Sequence, residues 1–322
     1  MLLPPLRENN VKIPSVSVAW VLSLAIAGLA WAQASPQAGP AAKTADRNSG
    51  HLKMALVNMK CLYSDSADAA ANRKNIQTNL NRHMDFIDSL AAQGVEFVGF
   101  PELSINGYHF SANMTWLRLT GPEVKALQQR AIEKGLYLSA GIGEQDADGK
   151  KWNTQFVIDP KGRIIGWHHK IWLTKEKGFV EAGTDHNVFA VKGVKMGIST
   201  CADGTDQKNL QALADNGARI IYGPHANTTG GTTAGWYKFR AAWGGPNGWI
   251  AQLKVHAALH NHAGLYNPEF RPPVADDSNS GWASGAWFIG PDGQTLAQMQ
   301  PSSEKSDSKE FILICSIPLS NR

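Results

Sequence analysis

Val194-Lys-Met-Gly-Ile-Ser-Thr-Cys-Ala-Asp-Gly204 decides how this chain is read. An apolar, β-branched run leads into a cysteine, and Ala202-Asp-Gly204 then turns the chain toward Asp206 to Asn216, where apolar residues recur at helical spacing. Strand, cysteine, turn and helix in that order place Cys201 where backbone N–H groups and an open approach favour thiolate attack on a carbonyl. Taken alone, a cysteine ending a strand is more often a core residue.

Two further segments end an apparent strand on a reactive residue. Phe97-Val-Gly-Phe-Pro-Glu-Leu103 brings Glu102 out of a buried run across a proline, where partial burial would raise its pKa toward a general base's working range. Ile164-Ile-Gly-Trp-His-His-Lys-Ile-Trp-Leu173 places Lys170 in an apolar and aromatic stretch. A lysine there needs a carboxylate partner, and the ammonium so held can stabilise an oxyanion. Read separately, Glu102 also fits a solvated turn and Lys170 a side chain that snorkels to the surface.

Outward from these segments the chain reads as α/β. Strands are predicted at 53–59, 95–100, 137–143, 155–158, 163–168, 188–191, 195–200 and 219–222, and helices at 72–92, 124–134 and 206–216, with Asp206 as N-cap of the last. Asp159-Pro-Lys-Gly162 and Pro291-Asp-Gly293 read as turns between antiparallel strands. No internal repeat is evident.

At 322 residues, with 43% hydrophobic and 18% charged residues, the chain is globular and long enough for a sizeable core. Residues 1–34 have the profile of a signal peptide: Arg7 and Lys12, an apolar run from Val18 to Ala32, and Ala32-Gln-Ala34 before Ser35. Export to the periplasm or beyond is therefore expected, with no stable membrane insertion after cleavage; an uncleaved anchor is the alternative. Residues 35–50, rich in small residues, Pro and Gly, read as a tether before a domain at 51–322. The formal charge is +4, and without Arg7, Lys12 and Glu8 it is 29 Lys+Arg against 26 Asp+Glu, or +3, too mild to argue for nucleic acid. Cys61, Cys201 and Cys315 show no metal or disulfide spacing, and His256, His260 and His262 do not suggest a metal site, so neither a metal nor another cofactor is expected.

Together the three reactive segments resemble the nitrilase, or carbon-nitrogen hydrolase, superfamily, whose members carry Glu, Lys and Cys in this chain order at strand ends of an αββα sandwich. The likeness runs from residue 53 to about 317. Phe100-Pro-Glu-Leu followed by Gly107-Tyr108 is similar to the glutamate motif, His169-Lys170 to the lysine motif and Thr200-Cys-Ala-Asp-Gly204 to the cysteine motif. Glu176-Lys-Gly-Phe-Val-Glu-Ala-Gly183 is similar to a further stretch that carries a fourth active-site glutamate. That register assigns the role to Glu176, and because Ala182 replaces the family's Pro, Glu181 remains an alternative.

The resemblance implies a four-layer αββα sandwich, a homo-oligomer built from dimers in which the apolar run 311–317 is a candidate participant, and amide hydrolysis through a Cys201 thioester. Glu102 would act as base, with Lys170 and the Ala202 N–H at the oxyanion. Ala202-Asp203 in place of the Trp-Glu pair of nitrile hydrolysers favours a small-molecule amide. No arginine follows the cysteine in Gly204-Thr-Asp-Gln207, which speaks against an acidic substrate unless Arg240 or Arg271 supplies the cation. Tyr108, Trp172 and His225 are candidates to touch substrate; His225 is also read as a hydrogen-bonded loop residue. Nitrile or carbamoyl hydrolysis, acyl transfer, and a catalytically silent exported binding protein stay open.

Overall fold

The computed structural model describes residues 50–63, 67–228, 232–263, 282–303 and 310–319. The expected leader, nearly all of the tether and Arg271 lie outside the described residues. Among those described, no helix is long and apolar enough to cross a membrane.

Among the described residues, twelve strands form two six-stranded sheets. The first runs in the order β12-β1-β2-β3-β4-β5, with β1 at His51–Asn58, β2 at Phe97–Gly99, β3 at Tyr137–Gln145, β4 at Lys151–Ile158, β5 at Ile164–His169 and β12 at Phe311–Pro318. The second runs β11-β10-β9-β8-β7-β6, from β6 at Val188–Val191, β7 at Val194–Ile198 and β8 at Ile220–Pro224 to β9 at His256–His260, β10 at Ala286–Ile289 and β11 at Thr295–Gln298. In each sheet three neighbouring strands pair in parallel (β1-β2-β3 and β7-β8-β9) and the outer pairings are antiparallel. The sequence shows no repeat, but the topology repeats.

Alternation along β1 shows how the layers form. Leu52, Met54 and Leu56 face the core between the sheets, with Phe97, Met196, Tyr222 and Phe288, whereas Ala55 and Val57 face the opposite way. On that outer face lie α1 (Ala69–Ala92) and α2 (Pro122–Lys134), whose Ile76, Leu80, Ile87, Leu90, Val124 and Leu127 fall at helical spacing. The second sheet is covered by α3 (Gln207–Asp215), α4 (Thr233–Phe239) and α5 (Trp249–Leu253), through Leu210, Leu213, Trp236 and Ile250. The layers are therefore α, β, β and α, as the resemblance implied.

Both turns read from sequence join antiparallel neighbours, β4 to β5 and β10 to β11. Asp206 caps α3, its side chain accepting from Lys208 N at 2.9 Å. The run 311–317 is paired within the chain, residue for residue against β1, and its Ile312 and Ile314 pack partly on the outer core and its Leu313 and Cys315 partly on the inner one. Gly99 sets the distance between the sheets beside the site: a Cβ there would lie 2.7 Å from the Tyr222 hydroxyl, which donates to Phe100 O at 2.8 Å.

Candidate active site

Three side chains converge where the strands of the first sheet end. Glu102 follows β2, Lys170 follows β5, and Glu176 stands on the loop beyond it; all three are fully buried. Lys170 Nζ donates to Glu102 Oε1 at 2.8 Å and to Glu176 Oε1. Asn153 of β4 donates from one nitrogen to both carboxylates, at 2.7 Å to Glu102 and 3.3 Å to Glu176. Glu176 Oε2 accepts from Tyr108 OH at 3.1 Å and from Thr174 N and Oγ1 at 3.0 and 2.8 Å. Glu181 is exposed, so of the two candidates Glu176 is the one at the cluster.

Charge counting explains the titration. One ammonium can neutralise one carboxylate, so the third member decides whether the buried cluster is neutral or carries −1. Burial pushes Glu102 up to about 7; Lys170 pulls it back down, and the Glu176 charge adds to the rise. Burial would raise Glu176 as well, but Lys170 and the Thr174 hydroxyl hold it at about 2. Burial works against the Lys170 ammonium, yet the charges around it outweigh that and hold its pKa well above the usual lysine value. Glu102 Oε2 has no hydrogen-bond partner among the described residues, which leaves one carboxylate oxygen free.

Cys201 comes from the second sheet, directly after β7, at the start of a 3-10 turn over Cys201–Thr205. Its φ is +47°, a left-handed conformation that costs a side-chain-bearing residue about 1–2 kcal/mol. Asp203 ties this turn to the lysine strand. Its Oδ1 accepts from Ile171 N and Trp172 N at 3.1 and 2.7 Å, and its Oδ2 meets His168 Nε2 at 2.7 Å and Thr200 N at 3.2 Å. Arg240, at the C-terminal end of α4, donates from Nη1 to Gly204 O at 2.8 Å and from Nη2 to Cys201 O at 2.5 Å, while Trp243 Nε1 also reaches Gly204 O, at 2.9 Å. Gly204 is required there: a Cβ would stand 2.4 Å from the Trp243 ring.

Burial, with the negative charge of Glu102 added, raises the Cys201 thiol to about 12, while Lys170, Arg240 and the Ala226 N–H lower it. In its resting state the sulfur is therefore a protonated thiol that needs a base. Leu103, Tyr108, Met114, Ala226 and Trp282 form a small apolar cluster, which meets the thiol through Ala226 and Tyr108.

The other expected residues sit further back. Trp172 has a half-exposed side chain and joins the site frame through its backbone N–H. His225 is fully buried, with Nδ1 on Gly223 O at 2.8 Å and its ring edge on Trp236. His260 and His262 bond to Tyr222 OH and to the Glu102 carbonyl, and among the described residues no group of three or more His, Cys, Asp or Glu is arranged to hold a metal. Arg240, read as a possible cation for a substrate carboxylate, is 1% exposed and spends both terminal nitrogens on backbone carbonyls; that expectation is corrected. Reading the sequence missed Asn153, whose signal was a run of polar residues, Asn153-Thr-Gln155, inside a buried strand.

Known proteins place the chain in a family. Residues 53–321 match the family model described as carbon-nitrogen hydrolase. An omega-amidase NIT2-A of Xenopus laevis is 28% identical over 159 residues, covering 46% of this chain and 58% of that protein. A formamidase of a Bradyrhizobium strain is 30% identical over 133 residues, 39% of each chain. The alignments thus span little more than half of such relatives or less. Among solved structures, an amidase from Nesterenkonia sp. superposes with a TM-score of 0.65 at 19% identity, over 84% of this chain and 91% of that one, a likeness of fold. With the family model covering most of its length, the chain belongs to the carbon-nitrogen hydrolase family.

Proposed function

We propose that the chain hydrolyses a small neutral amide through a thioester on Cys201. Glu102, ionised, takes the thiol proton as the sulfur attacks the amide carbon, and the oxyanion is met by the Lys170 ammonium and the Ala202 N–H. The intermediate collapses, the C–N bond breaks, and Glu102 returns its proton to the departing nitrogen. Water then gives a proton to the same carboxylate and attacks the thioester carbon; the acid leaves and the proton returns to sulfur. Glu176 keeps Lys170 charged and in place throughout.

The observation that carries this reading is geometric: a buried Lys170 bonded to both Glu102 and Glu176, with Glu102 Oε2 left without a partner among the described residues and the Glu102 charge reaching the Cys201 thiol. Support for a neutral amide comes from the cations. Lys170 is taken up by two glutamates and Arg240 by two carbonyls, and the wall beside the thiol is apolar. The omega-amidase and formamidase names of relatives, and Nesterenkonia amidase structures holding butyramide and acrylamide, agree with amide chemistry. Ammonia release from acetamide, propionamide and butyramide tests it: at least one should turn over, and Cys201→Ala should lose at least about 10⁴-fold in kcat. Full turnover by Cys201→Ala would sink the reading.

A further inference from the structure

Arg240 is a buried guanidinium with no carboxylate within the hydrogen bonds of its fork. Both terminal nitrogens go to backbone carbonyls at the two ends of one short turn, Cys201 and Gly204. Burying an arginine is costly unless it is paired, and a stability role alone does not explain why it is aimed at the carbonyl of the nucleophile itself.

Peptide geometry supplies a reason. The described residues contain no cis peptide, and in a trans peptide the C=O and the following N–H point in opposite directions across one plane. The carbonyl that Arg240 holds belongs to Cys201, so the N–H on the other side of that same unit is Ala202's. Ala202 precedes the first bond of the 3-10 turn, Asp203 N to Thr200 O at 3.0 Å, so its N–H is among the donors that the turn leaves free. Pulling the carbonyl back toward Arg240 turns this donor forward, and a cation on the carbonyl polarises the peptide so that its N–H is a stronger donor. The planar fork of Arg240 holds the turn at two points, the Cys201 and Gly204 carbonyls.

We propose that Arg240 is the positioning residue of the oxyanion hole: through the Cys201 carbonyl it fixes and polarises the Ala202 N–H that meets the developing oxyanion. The inference rests on the thioester reading above. It assigns Arg240 no contact with substrate. Trp243, bonded to the same Gly204 carbonyl, steadies the other arm of the fork.

Two reactions of the same sulfur separate this role from a structural one. Acylation by an amide passes through an oxyanion, whereas thiol exchange with methyl methanethiosulfonate does not. For Arg240→Met, kcat on the fastest of the three amides should fall about 100-fold, the scale of one lost oxyanion donor, with KM unchanged within about threefold. The rate of methyl methanethiosulfonate modification at Cys201, read by peptide mass, should fall only by the share due to the lost Arg240 charge beside the thiol, so that kcat falls at least about tenfold further than this rate does. Arg240→Lys reaches a single carbonyl and should lose about tenfold in kcat, and it is the variant to read if Arg240→Met does not fold. Unchanged kcat in both variants, a change confined to KM, or a modification rate that falls in step with kcat would overturn the proposal. Cys201→Ala, run beside them, separates the two claims. If it stays active the thioester reading fails, and Arg240 with it; if it is inactive while the Arg240 variants match wild type, only the positioning role fails.

Discussion

The two sheets build their halves of the site by different means. In the first, Glu102, Lys170, Glu176 and Asn153 are held side chain to side chain, and their charges compensate one another. In the second, Cys201 is held through its backbone, by a left-handed φ and by Arg240 and Asp203 acting on the turn. The difference follows from what each half supplies. Acid-base and electrostatic work depends on which charges share a buried space, whereas a nucleophile with an N–H donor depends on where one peptide points.

The comparison breaks most easily at Lys170. Lys170→Met leaves two buried carboxylates without their cation, and removing one partner of a buried pair costs about 3–5 kcal/mol. Urea unfolding should show that loss together with a collapse of turnover; a loss below about 1 kcal/mol would mean that charge compensation does not hold this half together. In the other half, Gly204→Ala forces a methyl group against Trp243, and overpacking of this kind costs about 1–3 kcal/mol. It should lower kcat without moving the pH profile, because the charges of the first half are untouched.

The smallest effect is a shift in pH. On the proposed mechanism Glu102 acts as the ionised base, so kcat/KM should rise with pH through about 7, and fall about tenfold per unit on the acid side. Glu176 raises Glu102, so Glu176→Gln should move that limb to lower pH. A limb that stays in place, or moves up, would show that the two carboxylates do not share one field.

How much of this was legible in the sequence divides along the same line. Strands β1 to β8 announce themselves through apolar and β-branched runs closed by Gly, Pro or Asp, and Glu102, Lys170 and Cys201 are each the reactive residue at the end of such a run. The histidine-bounded β9 (His256–His260) does not, because the partners that let His260 sit in a buried strand, Val57 O and Tyr222 OH, are distant in sequence. Strand β12 reads as an apolar tail until β1, at the other end of the domain, is set beside it. Asn153 stayed hidden, and Arg240 was read for the wrong partner, for a similar reason. They act on Glu102 and Cys201 across 51 and 39 residues, and nothing in their local sequence marks the partner.

Asp203 shows the limit from another side. In sequence it was a letter distinguishing amide from nitrile chemistry. In the fold its carboxylate gathers donors from Thr200, His168, Ile171 and Trp172, and so links the cysteine turn to the lysine strand. A motif letter can thus carry geometry as well as specificity.

The most direct test is acid-quenched peptide mass spectrometry of the enzyme mixed with propionamide, in the wild type and in Glu102→Gln. A propionyl mass on the peptide containing Cys201 is expected in the wild type during turnover and absent from peptides containing Cys61 and Cys315. Turnover of propionamide with no acyl group on Cys201 at any quench time, or with the acyl group on another residue, would contradict a thioester at this cysteine.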